Sequence, residues 1–273
     1  MVKIEVKNKI GHADSIKLKR MKPYIKPTKP HQHKDYHEII LISSGEGFHT
    51  IEFEKHTVQP PVIFALKPGQ VHQWEFTEKP EGFVLMFKQD FLNNHFLNQT
   101  NPVNIKSCIE IDATLCDHLS YLLLSIGKEL DQKNDRHSNL AIAAYLKLIL
   151  LELDRFSTDH NQTMPALSSR FHQFDHLVKA HYRTQRKVTY YAELLHMTPK
   201  HLNDICKSNK GLTASEVIQN HVITEAKRLL IYTDMSISEI TSDLGFDDSS
   251  HFAKYFRRQL HVSPNYFRKN RFQ

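Results

Sequence analysis

The chain has 273 residues, 40% of them hydrophobic and 24% charged, which excludes a small stapled module and a globally disordered chain and leaves room for two ordinary domains. Three scattered cysteines, Cys108, Cys116 and Cys206, form no C-x-x-C pair, so a disulfide framework is excluded and a reducing cytoplasm fits best. The net charge of +6 sits wholly in the last third: residues 170–273 hold 16 basic and 10 acidic residues against 20 of each in residues 1–169, so a polyanion partner is expected for the C-terminal part.

The Lys-rich first thirty residues are broken by Pro23, Pro27 and Pro30 and lack the apolar run of a secretion signal. No window of about 18 apolar residues exists, so no spanning segment is expected. From Tyr36 to Lys88 short apolar or alternating runs recur about every ten residues between Gly and Pro turns: Ile39–Ile42, Phe48–Phe53, Val62–Leu66, Gln73–Phe76 and Gly82–Phe87. They predict an antiparallel β barrel or sandwich. Between Asp112 and Phe156 the period lengthens. Leu115, Leu119, Leu122 and Ile126, then Leu140, Ala144, Leu148 and Leu151, predict two amphipathic helices. The polar stretch Ser157–Ser169 has no periodicity and predicts a linker, giving an N-terminal domain over 1–158, a linker over 159–169 and a C-terminal domain over 170–273.

The C-terminal third reads as two helix-turn-helix units. In V-T-Y-Y-A-E-L-L-H-M-T-P-K-H-L-N-D-I-C-K, Thr189 is the expected N-cap, Ala192, Leu194 and Leu195 the buried face, His196–Met197 the turn, and Thr198-Pro199 the start of the next helix. The later unit repeats this grammar. Ser236 caps a helix with Ile237, Ile240 and Leu244 inward, Gly245 stops it, and a helix with Phe252 and Phe256 begins near Ser249. A long amphipathic helix from Ala214 to Tyr232 joins them; at 1.5 Å per residue it spans roughly 28 Å, near the roughly 34 Å of one DNA turn.

The runs A-K-R-L-L, S-I-S-E-I-T-S-D-L-G-F-D-D-S-S-H-F-A-K-Y-F-R-R and V-S-P-N-Y-F-R resemble the DNA-binding domain of the AraC/XylS family of transcription regulators over residues 170–271. His196 and His261 stand where that family often has Gly, and Cys206 where it usually has a buried Phe. The resemblance implies double-stranded DNA as partner, with base contacts from Lys200, Asn203 and Asp204 of the first recognition helix and Ser249, Ser250 and Lys254 of the second. Lys donates to guanine O6/N7 and Asn pairs with adenine N6/N7, so the residue types suit the task. Lys207, Arg257, Arg258 and Arg268 are the implied phosphate contacts.

P-H-Q-H-K-D-Y-H-E-I-I-L-I-S-S-G-E-G and K-P-G-Q-V-H-Q-W resemble the two boxes of the cupin barrel over residues 31–90. The whole chain is therefore expected to be α+β in two domains, a cupin-like β barrel with dimerisation helices and an all-α double helix-turn-helix domain. In metal cupins the matching positions are ligands, here His31, His33, Glu38 and His72, a set that suits a divalent metal such as Fe, Mn, Ni or Zn. His37 and His49 have no such match and read as ordinary strand histidines. Phe48, Phe64, Trp74, Phe76 and Phe83, with His33, Glu38 and His72, are expected to line a pocket for a small-molecule effector. By resemblance, the segment before His31 is an arm over the barrel mouth, residues 112–156 form a homodimer, and the protein is a cytoplasmic activator with RNA polymerase as partner. The rival reading is a metal-cupin enzyme, a dioxygenase or isomerase, fused to a DNA-binding module.

Overall fold

A computed structural model of the protein describes residues 4–11, 14–94, 105–132, 135, 137–157 and 169–270. The chain divides into two compact units, one of Glu5–Thr163 and one of Met164–Gln273 together with Met1–Ile4. The expected linker lies outside the described residues except for Ser169, which opens a helix.

The N-terminal unit is built on ten strands: β1 (Glu5–Val6), β2 (Ile16–Arg20), β3 (His31–Gln32), β4 (Tyr36–Ser44), β5 (Gly47–Ile51), β6 (Glu54–Val58), β7 (Val62–Leu66), β8 (Val71–Phe76), β9 (Glu81–Lys88) and β10 (Cys108–Glu110). They form two five-stranded sheets, β1-β3-β8-β5-β6 and β10-β7-β4-β9-β2, so the β barrel takes the form of two sheets rather than one closed ring. Strand β4 is central in the second sheet and buried from Tyr36 to Ile42, because both of its faces have partners. Ile40 and Ile42 pack with Ile51, Val58 and Trp74 of the first sheet. Ile39 and Leu41 face the opposite way, into a core completed by two helices, α2 (Ala113–Asp131) and α3 (Ser138–Ser157). A short helix α1 (Gln89–Asn94) follows β9.

Strands β2, β3, β6 and β10 are not legible as runs in the sequence, and Phe53 falls beyond the end of β5. In α2 the expected Leu119, Leu122 and Ile126 are buried. In α3 the inward face is Ile142, Leu146, Ile149, Leu150 and Leu153, whereas Leu140, Ala144, Leu148 and Leu151 are exposed; the seam read from the sequence is the outer one.

The C-terminal unit is all-α: α4 (Ser169–His181), α5 (Val188–Leu194), α6 (Pro199–Lys210), α7 (Ala214–Tyr232), α8 (Ile237–Asp243), α9 (Ser249–Leu260) and α10 (Pro264–Lys269). The long helix has the expected bounds, fixed by a capping box between Thr213 and Glu216. Helix α8 starts on the same device, Ser236 with Glu239. Helix α5 differs: its N-cap is Lys187 rather than Thr189, and Tyr191 is buried while Leu194 is 44% exposed. His196 and His261 occupy the left-handed positions expected of them, with φ of 51° and 61°. Among the described residues, no helix is long and apolar enough to cross a membrane.

Candidate nucleic-acid interface and candidate ligand site

Helices α6 and α9 are built alike. A side chain at each N-cap, Thr198 or Asp248, accepts from the third backbone amide, that of His201 or His251, and a left-handed residue, Gly211 or His261, ends the helix. Leu202, Cys206 and Asn209 bury one face of α6, and Phe252 and Phe256 that of α9. Helical spacing then turns Lys200, Asp204 and Lys207 outward on α6, and Ser250, Lys254, Arg257 and Arg258 outward on α9; all seven are exposed. His201 and His251 are exposed beside them, which sequence reasoning missed although each stands third from its cap.

Three expected DNA contacts are engaged elsewhere. The Asn203 side-chain oxygen accepts from the Ala214 amide at 2.9 Å and so ties α6 to the first turn of α7. Ser249 accepts from the Thr241 hydroxyl at 3.4 Å and belongs to the joint between α8 and α9. Arg268 donates to the carbonyls of Leu230 and Met235, at 3.3 and 2.6 Å, and thereby satisfies the end of α7. The turn before α9 is bolted to the loop before α5. Arg186 lies 3.7 Å over the Phe246 ring and donates to the Leu244 carbonyl, and Arg183 pairs with Asp243 at 3.0 Å.

In the β domain, strand register gathers the second cluster. His31 stands opposite His72, and His49 opposite Trp74, on the face of the first sheet that meets Glu38 of β4. His31, His33, Glu38, His49 and His72 are all buried. His31 Nδ1 donates to the Lys29 carbonyl at 2.9 Å and His33 Nδ1 to the Lys7 carbonyl at 2.8 Å, with the Tyr36 hydroxyl 2.7 Å from the same nitrogen, which makes Nε2 the unprotonated nitrogen of each ring. His33 Nε2 lies 3.0 Å from His72 Nε2 and 3.4 Å from Glu38 Oε1, and His72 Nε2 lies 4.0 Å from Glu38 Oε2. Burial lowers His31 and His33 to about 4 and pushes His49 and His72 well below the usual imidazole range, so all four rings are neutral at pH 7.

This geometry fits a metal. Four ligand atoms about 2.1 Å from one ion stand roughly 3.4 Å apart in a tetrahedron, which the His33–Glu38 spacing matches, the His33–His72 spacing being shorter and the His72–Glu38 spacing longer. The ligand atoms of His31, His33 and His72 lie within 4.8 Å of one another, and Glu38 Oε2 is buried with no hydrogen-bond partner. Neutral imidazoles with one nitrogen committed to a carbonyl are in the form a metal requires. His49, read from the sequence as an ordinary strand histidine, is a member of the cluster: its Nε2 lies 3.0 Å from His72 Nδ1 and its ring stacks on Trp74 at 3.4 Å. Period-two alternation with Ile51 was the signal for it. His37 lies on the other face, stacked on Phe87 at 5.3 Å.

Of the expected pocket aromatics, Phe64 and Trp74 face the interior and Phe76 packs at its edge. Phe48 points outward under Lys55, whose ammonium is 3.8 Å from its ring, and Phe83 belongs to the core under the helices. Neither lines the interior.

Two helices of matched build in one unit and a buried polar centre in another are the parts of a class, the DNA-binding regulator with its own ligand-binding domain. Residues 26–150 match the AraC-like ligand binding domain, and residues 191–270 match a helix-turn-helix domain. HTH-type transcriptional activator RhaS of Enterobacter sp. (strain 638) is 22% identical over 248 residues, covering 89% of this chain and 88% of the relative. RhaS of Escherichia coli O1:K1 / APEC is 23% identical over the same coverage. The solved structure of ToxT from Vibrio cholerae matches over 94% of this chain and 98% of its own, at 13% identity and a TM-score of 0.42. The chain belongs to the AraC family of transcription regulators.

Proposed function

We propose that this regulator is a cytoplasmic activator that binds double-stranded DNA as a homodimer, takes a small-molecule effector between its β sheets, and engages RNA polymerase. The observation that carries the DNA reading is the repeat of one exposed row on two helices, Lys200-Asp204-Lys207 on α6 and Ser250-Lys254-Arg257 on α9. On this reading Lys200, Asp204, Ser250 and Lys254 meet base edges, and Lys207, Arg257 and Arg258, in the last turns of their helices, hold phosphates. The exposed outer seam of α3, Leu140, Ala144, Leu148 and Leu151, supports dimerisation through residues 112–156, where pairing of two DNA-binding units raises affinity by effective concentration. The relatives' description as activators supports the sign of regulation.

The effector site comprises His33, Glu38, His49, Phe64, His72 and Trp74. A specific observation, three imidazoles within 4.8 Å of one another with the unpartnered Glu38 Oε2 4.0 Å from His72, favours a second reading in which His31, His33 and His72, with Glu38 beside them, hold a divalent ion. Such an ion would supply a Lewis-acid anchor for an effector oxygen. The chain's own residues do the rest: the carbonyls of Lys29 and Lys7 orient two rings, His49 backs the third, and Trp74 and Phe64 exclude water.

Gel-shift titration at several salt concentrations tests the main reading. Lys254→Ala should lose about 1–3 kcal/mol of discrimination between cognate and scrambled DNA, whereas Arg257→Ala should weaken both alike and flatten the salt slope. A Lys254→Ala protein that weakens on both sequences equally refutes the base-reading role of α9.

A further inference from the structure

We propose that Lys9 is a resident cation that holds Glu38 in place of a divalent ion, so that an ion entering the histidine cluster has to displace it and thereby loosens the N-terminal strap. The proposal rests on the reading that His31, His33, Glu38 and His72 form a divalent-metal site.

Residues 5–10 cross the cluster and are fastened to the cluster's own residues. Strand β1 pairs in parallel with β3, placing Glu5 opposite His31, and the Lys7 amide donates to the Gln32 carbonyl at 3.0 Å. The Lys7 carbonyl accepts from His33 Nδ1 at 2.8 Å and from the Tyr36 hydroxyl at 3.4 Å. The Lys9 amide donates to the Tyr36 oxygen at 3.1 Å, and Ile10, 2% exposed, packs with Tyr36 and Met86.

The Lys9 ammonium reaches in from a side chain 34% exposed and donates to Glu38 Oε1 at 3.0 Å, while Glu38 itself is 1% exposed. Among the described residues, Lys9 is the only lysine or arginine within ion-pair distance of Glu38. A buried carboxylate requires a cation, and Lys9 is the one paired with it here. The same oxygen lies 3.4 Å from His33 Nε2, at the edge of the coordination polyhedron. A divalent ion bound there would place two like charges within a few ångströms of each other, and the one with the flexible stem and an exposed route outward is Lys9. The His33 to Lys7 bond is not in conflict, because it holds the tautomer a ligand needs. The part of the strap affected is therefore Asn8 to Ile10, which loses the Lys9 ammonium anchor and keeps only the Lys9 amide bond to Tyr36 and the packing of Ile10.

Equilibrium dialysis of the full-length protein against Zn²⁺, with metal counted by mass spectrometry, tests this. Zinc retained by His33→Ala is subtracted as binding to other histidines. Lys9→Met keeps the stem and removes the charge; it should bind zinc at least tenfold more tightly than wild type, and the difference should vanish in a Glu38→Gln background. Hydrogen exchange at residues 8–10 should rise when zinc is added to wild type and should not change further in Lys9→Met. Wild type and Lys9→Met binding zinc equally tightly would overturn the role of Lys9 while leaving the metal site standing. Absence of His33-dependent zinc in both proteins would overturn the metal reading, and this proposal with it. Lys9→Gln serves as the second variant if circular dichroism reports that Lys9→Met has lost its fold.

Discussion

Gly245 is the position at which one methyl group should do most damage to DNA recognition without touching DNA. Its φ is 74°, so an L-residue pays about 1–2 kcal/mol for the left-handed conformation alone. A Cβ there would also lie 1.8 Å from the Arg183 carbonyl oxygen, where real Cβ contacts stay above 3.0 Å, so one backbone segment has to retreat by about 1.2 Å. That retreat strains the contacts that bolt the loop before α5 to the turn before α9: Arg186 on Phe246 and Leu244, and Arg183 on Asp243. A hydrogen bond from a charged donor and a cation–π contact are together worth about 2–4 kcal/mol. Gly245→Ala should therefore cost about 3–6 kcal/mol. Gly211 provides the control, with φ of 67° and no atom within 4 Å of the place a methyl would take, so Gly211→Ala should cost only the conformational part, about 1–2 kcal/mol. Hydrogen exchange across α8 and α9 in the full-length protein isolates the affected unit, and gel shift measures the consequence. If Gly245→Ala protects α9 as well as Gly211→Ala does, the Arg183 to Arg186 loop is not what positions the second reading helix.

Trp74 is the single tryptophan and is 6% exposed within the stack with His49 and Phe76, so its emission should be blue-shifted, resist iodide, and change when a ligand enters the cluster; red-shifted, readily quenched emission would place it in solvent. Leu148→Glu on the outer seam of α3 should leave the fold intact and shift sedimentation from dimer to monomer, and an unchanged dimer would move the interface elsewhere. His221, whose ring meets Tyr182 at 4.7 Å, is lowered to about 4 chiefly by burial, with Lys179, Arg228 and Arg183 adding to the shift and Asp175 opposing it. The unfolded chain then takes up a proton that the folded one does not between about 6.5 and 4, so stability of the helical unit should fall by up to about 3 kcal/mol as pH drops through that window. Exchange across α7 should show this loss in wild type and a smaller one in His221→Gln.

The helical unit is legible in the sequence because its punctuation is local chemistry. Thr198-Pro199, Thr213 with Glu216, Ser236 with Glu239, and Ser263-Pro264 each satisfy amides within three residues of themselves, so their meaning is visible in a short window. The intramolecular bonds of Asn203, Ser249 and Arg268 are not legible, for the opposite reason. Their partners lie 11, 8 and 38 residues away along the chain, and whether a polar side chain meets DNA or a distant backbone group is settled only by tertiary contact. Helix α5 is seven residues long, too short for its period to fix which of Tyr191 and Leu194 faces inward. The Tyr191 ring is buried only because its hydroxyl reaches the Gln185 carbonyl at 2.7 Å.

The β domain is legible through its resemblance and through one strand. The cupin-like boxes point to His31, His33, Glu38 and His72, which the fold buries side by side, but they say nothing of residues outside the boxes, and His49 and Lys9 adjoin the cluster from β5 and from the strap. Edge strands β2 and β6 alternate around lysines, histidine and glutamate because one face of each meets solvent, and so carry no apolar run. Helix α3 is the most instructive error. It is apolar around most of its circumference, with one seam at Ile142, Leu146, Ile149 and Leu153 and another at Leu140, Leu148 and Leu151, and a period cannot choose between them. The sheet takes the first seam. A helix that needed only the sheet would carry charge on its outer face, so the second seam argues for a second partner. Tyr121 and Leu124 of α2, 64% and 40% exposed, extend the same apolar character onto the neighbouring helix, as a self-complementary patch on two packed helices should.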